Sequence, residues 1–320
     1  MLRAVQSLFL ERCKQLGDSP LIALALDSTT LSTCSENQVD ARYGYNKAGD
    51  GLETVKLLVL YSVENRQPIA FAKQPGNIPD VPSLANALAQ LQALGVRNAE
   101  VLTGNGFFSE DNLAKLLLAG FRFITIVKTS IVWVRSELDL HLGGMAGIGN
   151  RRAGLGGVYC HTVALKRAFS KERKYASNKK GLEKGSCETF ERRVYLHIYF
   201  DPARKEAEDA SFYDGVDELK KALEEGVAID TMAEAAQKKA SKLLTIKKTK
   251  GGKIVSVAYN EEACRNACKY RGCFALVANW EKDRFKALEK NANAKRWRSI
   301  SEWATRTPAH PGPGFGTLTT

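Results

Sequence analysis

Leu21-Ile-Ala-Leu-Ala-Leu26-Asp27-Ser-Thr-Thr30 joins six consecutive apolar residues to an aspartate. A run of that length is too short for most helices and suits a strand buried on both faces, expected to end at Asp27. A carboxylate at the end of a central strand is a common seat for Mg2+, because hard cations take oxygen ligands. Aspartate also opens turns for purely local reasons, so Asp27 by itself supports either role.

Working outward, Val55–Tyr61 and Pro68–Ala72 read as two more strands about a turn at Glu64–Gln67, together an antiparallel meander. Asp80 is expected to cap a helix with Pro82 in its first turn and a stripe of Val81, Leu84, Ala85, Leu88 and Leu91. Ala99–Thr103 is a fourth strand. Ser109 caps a helix that carries Leu113, Leu116 and Leu117 and stops at Gly120. Phe121–Val127 is a fifth strand. Three strands followed by helix, strand, helix, strand imply an α/β layer fold with a mixed sheet and flanking helices.

After Lys128 the pattern changes. Residues 141–157 are Gly-rich. Val158–Leu165 and Arg193–Phe200 read as strands of a second sheet, Ala203–Glu225 as a charged helix, and Lys269–Ala278 holds another strand. This stretch is read as a β-rich insertion with basic loops. Beyond Lys290 no helical or strand period continues into the Pro/Gly end at 308–316, so residues 291–320 are expected to be disordered.

The chain carries 47 Lys and Arg against 35 Asp and Glu, a formal charge of +12, and the excess is local. Residues 166–184 hold eight basic side chains and two Glu; residues 238–253 hold seven Lys and no acid. Such runs suit a polyanion, and equally a solvated surface loop. In them Lys166, Arg167, Lys171, Arg173, Lys174, Lys247, Lys248 and Lys250 are the candidate phosphate contacts. Trp133, Tyr159 and Tyr175 flank basic segments and could stack bases, though core packing is the commoner use. His161 and His197 lie in strand candidates and read as structural. Seven cysteines at irregular spacing argue against a disulfide framework, and Cys264, Cys268 and Cys273 read as buried small side chains. No apolar run is long enough to span a membrane, and the first residues lack a signal-peptide pattern, so the cytoplasm is the expected compartment.

Leu26-Asp27-Ser28-Thr29-Thr30 resembles the first catalytic block of DDE transposases of the insertion-sequence-4 superfamily. The likeness continues through Gly44-Tyr-Asn-Lys47, Pro75-Gly-Asn-Ile-Pro-Asp80 and Gly106-Phe-Phe-Ser-Glu-Asp-Asn-Leu113. It goes on with Lys128-Thr-Ser130, Arg193–Tyr199 and Tyr270–Asn279, covering about residues 20–290 in the family's order. The resemblance implies a ribonuclease-H-like core at 21–128, an insertion at 129–262, a return to the core at 263–290, and a short N-terminal helical remnant at 1–20. It implies a protein acting on double-stranded DNA with Mg2+, cutting and rejoining strands at the ends of an insertion sequence. A homodimer or an intact transposase is the expected protein partner.

The carried-over site is damaged. Asp27 matches the first metal-binding aspartate, and Gly104 stands where the second belongs, so the two are expected on neighbouring strands of one sheet. Asp111 lies seven residues further on, where it favours a helix N-terminus. The third acid, a glutamate on the helix after the last strand, has no match. Glu302 is the only acid beyond Glu289 and lacks the family's spacing. The register of the resemblance fades near Lys290, as a shift of reading frame would make it. The resemblance therefore implies an inactive copy: a non-catalytic DNA-binding pseudoenzyme or a decayed fragment. With 26 residues before Asp27, little room is expected for the N-terminal DNA-binding region such transposases carry.

Overall fold

The computed structural model describes residues 11, 21–35, 37–46, 49–93, 95–96, 98–172, 183, 185–249 and 254–306. The N-terminal remnant read at 1–20 lies outside them except for Glu11. The chain divides into two compact units, one of 1–128, 162–197 and 275–320, the other of 129–161 and 198–274.

The strands of the first part are β1 (Ile22–Thr33), β2 (Glu53–Ser62), β3 (Gln67–Pro75), β4 (Ala99–Thr103) and β5 (Arg122–Val127). Helix α1 (Asp80–Ala93) crosses from β3 to β4, and α2 (Glu110–Leu118) from β4 to β5. β1 pairs antiparallel with β2 and parallel with β4, and β4 pairs parallel with β5. β4 is buried at all five residues, Glu100 and Thr103 included, because it lies between β1 and β5 in the sheet. After Lys128 come α3 (Val132–His141), β6 (Tyr159–Glu172), β7 (Cys187–Phe200), α4 (Pro202–Glu224), α5 (Glu234–Leu243), β8 (Leu244–Lys248), β9 (Ile254–Tyr259), α6 (Glu261–Cys268), β10 (Cys273–Ala278) and α7 (Arg284–Arg306).

Three expectations are corrected here. First, β1 does not end at Asp27: it runs six residues further, because Ser28–Thr33 finds a full antiparallel partner in Glu53–Leu58 of β2. Second, β6 and β7 form no separate sheet. The main sheet has eight strands in the order β3-β2-β1-β4-β5-β10-β7-β6, and the only other sheet among the described residues is the β8–β9 hairpin. Residues 201–262 are mainly helical rather than β-rich, built on a core of Phe212, Val216, Leu223, Leu243, Cys264 and Cys268. Third, the chain beyond Lys290 is not irregular: α7 continues to Arg306, with Asn291 3% and Ala294 0% exposed. Residues 307–320 lie outside the described set.

Local bonds explain the family blocks as architecture. Ser109 caps α2 by accepting from Asn112 N at 3.0 Å. The buried Asn112 amide donates to Val81 O and Phe107 O, both at 2.7 Å, tying α2 to α1 and to the turn after β4. Asn279 accepts from Phe123 N at 2.9 Å and donates to Phe121 O at 3.0 Å, fastening the end of β10 to the start of β5. Among the described residues no helix is long and apolar enough to cross a membrane.

Candidate functional site

Leu26 faces Thr103 in the parallel β1–β4 pairing, so Asp27 and Gly104 follow side by side on neighbouring strands. Both line a cavity of about 360 Å3 with Ser28, Thr30, Tyr45, Lys56, Asp80 and Asn105. The two backbone positions expected on neighbouring strands do lie there, and position 104 carries no carboxylate.

Two lining groups were not foreseen from the sequence. Lys56 sits in an apolar strand, Thr-Val-Lys-Leu-Leu, and its side chain is only 8% exposed. Its ammonium donates to Asp80 Oδ1 at 2.8 Å, and Ser28 Oγ donates to the same oxygen at 2.7 Å. Asp80, expected as a helix cap, is therefore also a wall of the cavity, and it joins α1 to β1 and β2. A lysine alone among branched apolar residues was the available signal, because burying an ammonium requires a partner. The other oxygen of Asp80 faces Gly106, where an added Cβ would lie 2.7 Å from it.

Asp111 is 67% exposed and pairs with Lys115 at 2.6 Å on the surface of α2; it does not line the cavity. Glu302 stands on α7. Metal chemistry of the family's kind needs carboxylates from at least two elements that can turn an oxygen to the ion. The cavity offers Asp27 and Asp80, and Asp80 already holds an ammonium and a hydroxyl on one oxygen. Among the described residues no group of three or more His, Cys, Asp or Glu could hold a metal ion. The residues present do not fit a pair of Mg2+ ions.

The candidate DNA contacts are divided. Lys166, Arg167 and Lys171 lie on β6 and are ion-paired, to Glu191 at 2.5 Å, Glu110 at 2.8 Å and Glu188 at 3.4 Å. Lys247 is exposed on β8. Lys248 is on the same strand with its side chain outside the described set; Arg173, Lys174 and Lys250 lie outside it altogether, as does Tyr175. Tyr159 stacks on Phe200 at 6.4 Å, and Trp133 is half-buried on α3. His197 is fully buried between Thr162 Oγ1 at 2.8 Å and Glu281 O at 3.1 Å, and burial lowers its pKa to about 4. His161 packs against the His141 ring at 4.4 Å. Cys264, Cys268 and Cys273 are buried free thiols, and burial pushes Cys273 up to about 11.

The structure is similar, at a TM-score of 0.39 and 11% identity, to a solved piggyBac transposase synaptic complex with hairpin DNA, over 94% of this chain and 44% of that one. The chain thus spans less than half the length of that relative. No curated protein matches it. Residues 18–194, more than half of the chain, match the transposase DDE domain, and the chain belongs to that family.

Proposed function

We propose that this chain is the catalytic-domain portion of an insertion-sequence transposase of the insertion-sequence-4 superfamily, with a ribonuclease-H-like core, that binds double-stranded DNA and has lost its cleavage chemistry. The observation that carries the reading is the pair Asp27 and Gly104 on adjacent parallel strands of one cavity, a carboxylate beside a glycine. Three antiparallel strands extended by two parallel ones, with helices in the crossovers, support the ribonuclease-H-like assignment. In the active family, bound Mg2+ supplies the activation of the attacking oxygen and neutralises charge at phosphorus. Here Gly104 supplies no second strand-borne carboxylate for such an ion, while Lys56 pairs with Asp80.

The +12 charge favours DNA as partner, since neutralising phosphates releases counterions whatever the sequence. A copy that binds without cutting would occupy the DNA of an intact transposase and so interfere with it, in the bacterial cytoplasm where that DNA lies. The test is labelled duplex DNA with the purified chain and Mg2+ or Mn2+. Binding is expected to fall with log salt by about 0.9 per phosphate contacted, with no cleavage by the chain or by Gly104→Asp. Metal-dependent cutting by the unaltered chain overturns the inactivity; binding without salt dependence overturns the DNA reading.

A further inference from the structure

We infer that Tyr45, at the mouth of the Asp27 cavity, and Tyr43, two residues before it, form a stacking site for an unpaired base of a DNA strand; this rests on the DNA-binding reading above. Tyr43 is 73% and Tyr45 77% exposed, and Tyr45 lines the cavity. Two exposed aromatics on a floppy loop would mean little. These two flank Gly44 on a braced one.

Arg42 and Thr54 exchange backbone hydrogen bonds at 3.1 and 2.9 Å, and Asp40 pairs with Lys73 at 2.7 Å. Gly44 lies so close to the Pro75-Gly76 turn that an added Cβ would fall 2.4 Å from Gly76 O. Further along, Asn46 donates to Leu52 O at 3.3 Å, and Asp50 accepts from Leu52 N at 3.0 Å. The Leu52 N–H, with Ser32 and Asn46, holds the Asp50 carboxyl below its usual pKa. The backbone that carries the tyrosines is therefore fixed, and only two side-chain torsions each remain to be frozen on binding.

The chemistry of the surroundings selects the ligand. Asp27, Ser28, Asp80 and Asn105 make the cavity polar, which disfavours a purely apolar guest. The charged groups of the lining are Asp27, Asp80 and Lys56, so the tyrosines offer their faces to an uncharged base rather than to a phosphate. Bases within a duplex have both faces covered by their neighbours, so a tyrosine can stack only on a base that is splayed out or single-stranded. Stacking tolerates every base, so no sequence preference is required.

The test uses the full chain and two fluorescent DNAs, a blunt duplex and the same duplex with a short single-stranded overhang containing 2-aminopurine. The overhang DNA should bind about tenfold more tightly, with the 2-aminopurine quenched. Tyr43→Ala with Tyr45→Ala should abolish both the preference and the quench while leaving blunt-duplex affinity and melting temperature unchanged. Tyr43→Phe with Tyr45→Phe should keep both. Equal affinity of the unaltered chain for the two DNAs overturns the stacking site and leaves the DNA reading intact. An equal loss on both DNAs in the alanine variant makes the tyrosines ordinary duplex contacts and also overturns it. Failure to bind either DNA overturns both readings together.

Discussion

Lys290→Met should destabilise the first unit, and the size of the loss follows from where its ammonium sits. Lys290 Nζ lies 2.8 Å from Glu100 Oε2 and 3.0 Å from Glu281 Oε2. Glu100 is on β4 and 1% exposed, and beyond this ion pair its carboxylate has no hydrogen-bond partner among the described residues. Removing one partner of a buried pair costs about 3–5 kcal/mol, because the other charge is left behind. Lys290 keeps 31% of its side chain in solvent, so the lower end, about 3 kcal/mol, applies. At about 2–4 °C per kcal/mol the melting temperature should fall by about 6–12 °C. Adding Glu100→Gln should recover a good part of that loss, since the orphaned charge is gone. There is also a pH signature. Burial pulls the Lys290 pKa down, but the two carboxylates outweigh it and leave it above 10.5. The contribution is therefore complete below pH 10.5 and lost as pH rises through the higher folded value, and the variant should lack that alkaline decline. Thermal unfolding followed by circular dichroism reads all three effects. A single variant melting within about 1 °C of the parent, or a double variant no more stable than the single one, would refute the reasoning and with it the docking of α7.

Gly76→Ala would set a Cβ 2.0 Å from Thr54 O, which cannot be relieved by a rotamer; a loss of about 2–3 kcal/mol is expected in denaturant titration, and a loss near zero would mean the turn can slide. His197 is held neutral, with its pKa lowered from 6.5 to about 4, so the unfolded chain takes up a proton first and stability should drop by about 3 kcal/mol as pH falls from about 6.5 to about 4. His197→Gln should remove that slope in acid melting curves. Lys247→Gln should reduce the salt slope of duplex binding by about 0.9, and Lys166→Gln by clearly less, because Glu191 already neutralises that ammonium. Equal changes would show that the glutamate pairs on β6 open on binding.

The first five strands and the two crossover helices were legible because each is a contiguous apolar run or stripe with a capping or turn residue at its edge. The continuation of β1 past Asp27 was not. Ser28–Thr33 is polar, and only the length of β2 opposite it keeps the strand going. The placement of β10 between β5 and β7 was invisible for a related reason: strand order across a sheet is set by long-range pairing, and nothing local to Cys273–Ala278 encodes its neighbours. The part of α7 beyond Lys290 was missed because its buried residues, among those described, are Asn291 and Ala294. Small and polar residues draw no hydrophobic period, although Ala, Lys and Arg all favour helix. The site was half legible. Family blocks gave Asp27 and Gly104. Lys56 and Tyr45 needed the fold, since Lys56 meets Asp80 across 24 positions of sequence and Tyr45 reaches the cavity only because Gly44 packs against Gly76.

A cluster of three carboxylates is a liability to a folded protein until a metal arrives, because like charges at close range repel and each must be stripped of water. This cavity carries no such debt. Its lining acids are Asp27 and Asp80, two rather than three, and Lys56 pairs with Asp80. Folding should then be independent of divalent metal. A genuine site at about 100 times its Kd would add about 2.7 kcal/mol, which is a shift of several degrees in melting temperature. The unaltered chain should show no such shift between chelator and millimolar Mg2+ or Mn2+. Gly104→Asp sharpens the comparison. It places a second carboxylate beside Asp27 with no added cation, so the variant should melt lower than the parent in chelator and regain part of the difference in Mg2+, still without cutting DNA. A metal-induced rise in the unaltered chain would mean that Asp80 can leave Lys56 for an ion. A variant as stable as its parent in chelator would mean that Asp27 and position 104 do not share one electrostatic environment, and the reading of the cavity as a disarmed catalytic site would fall.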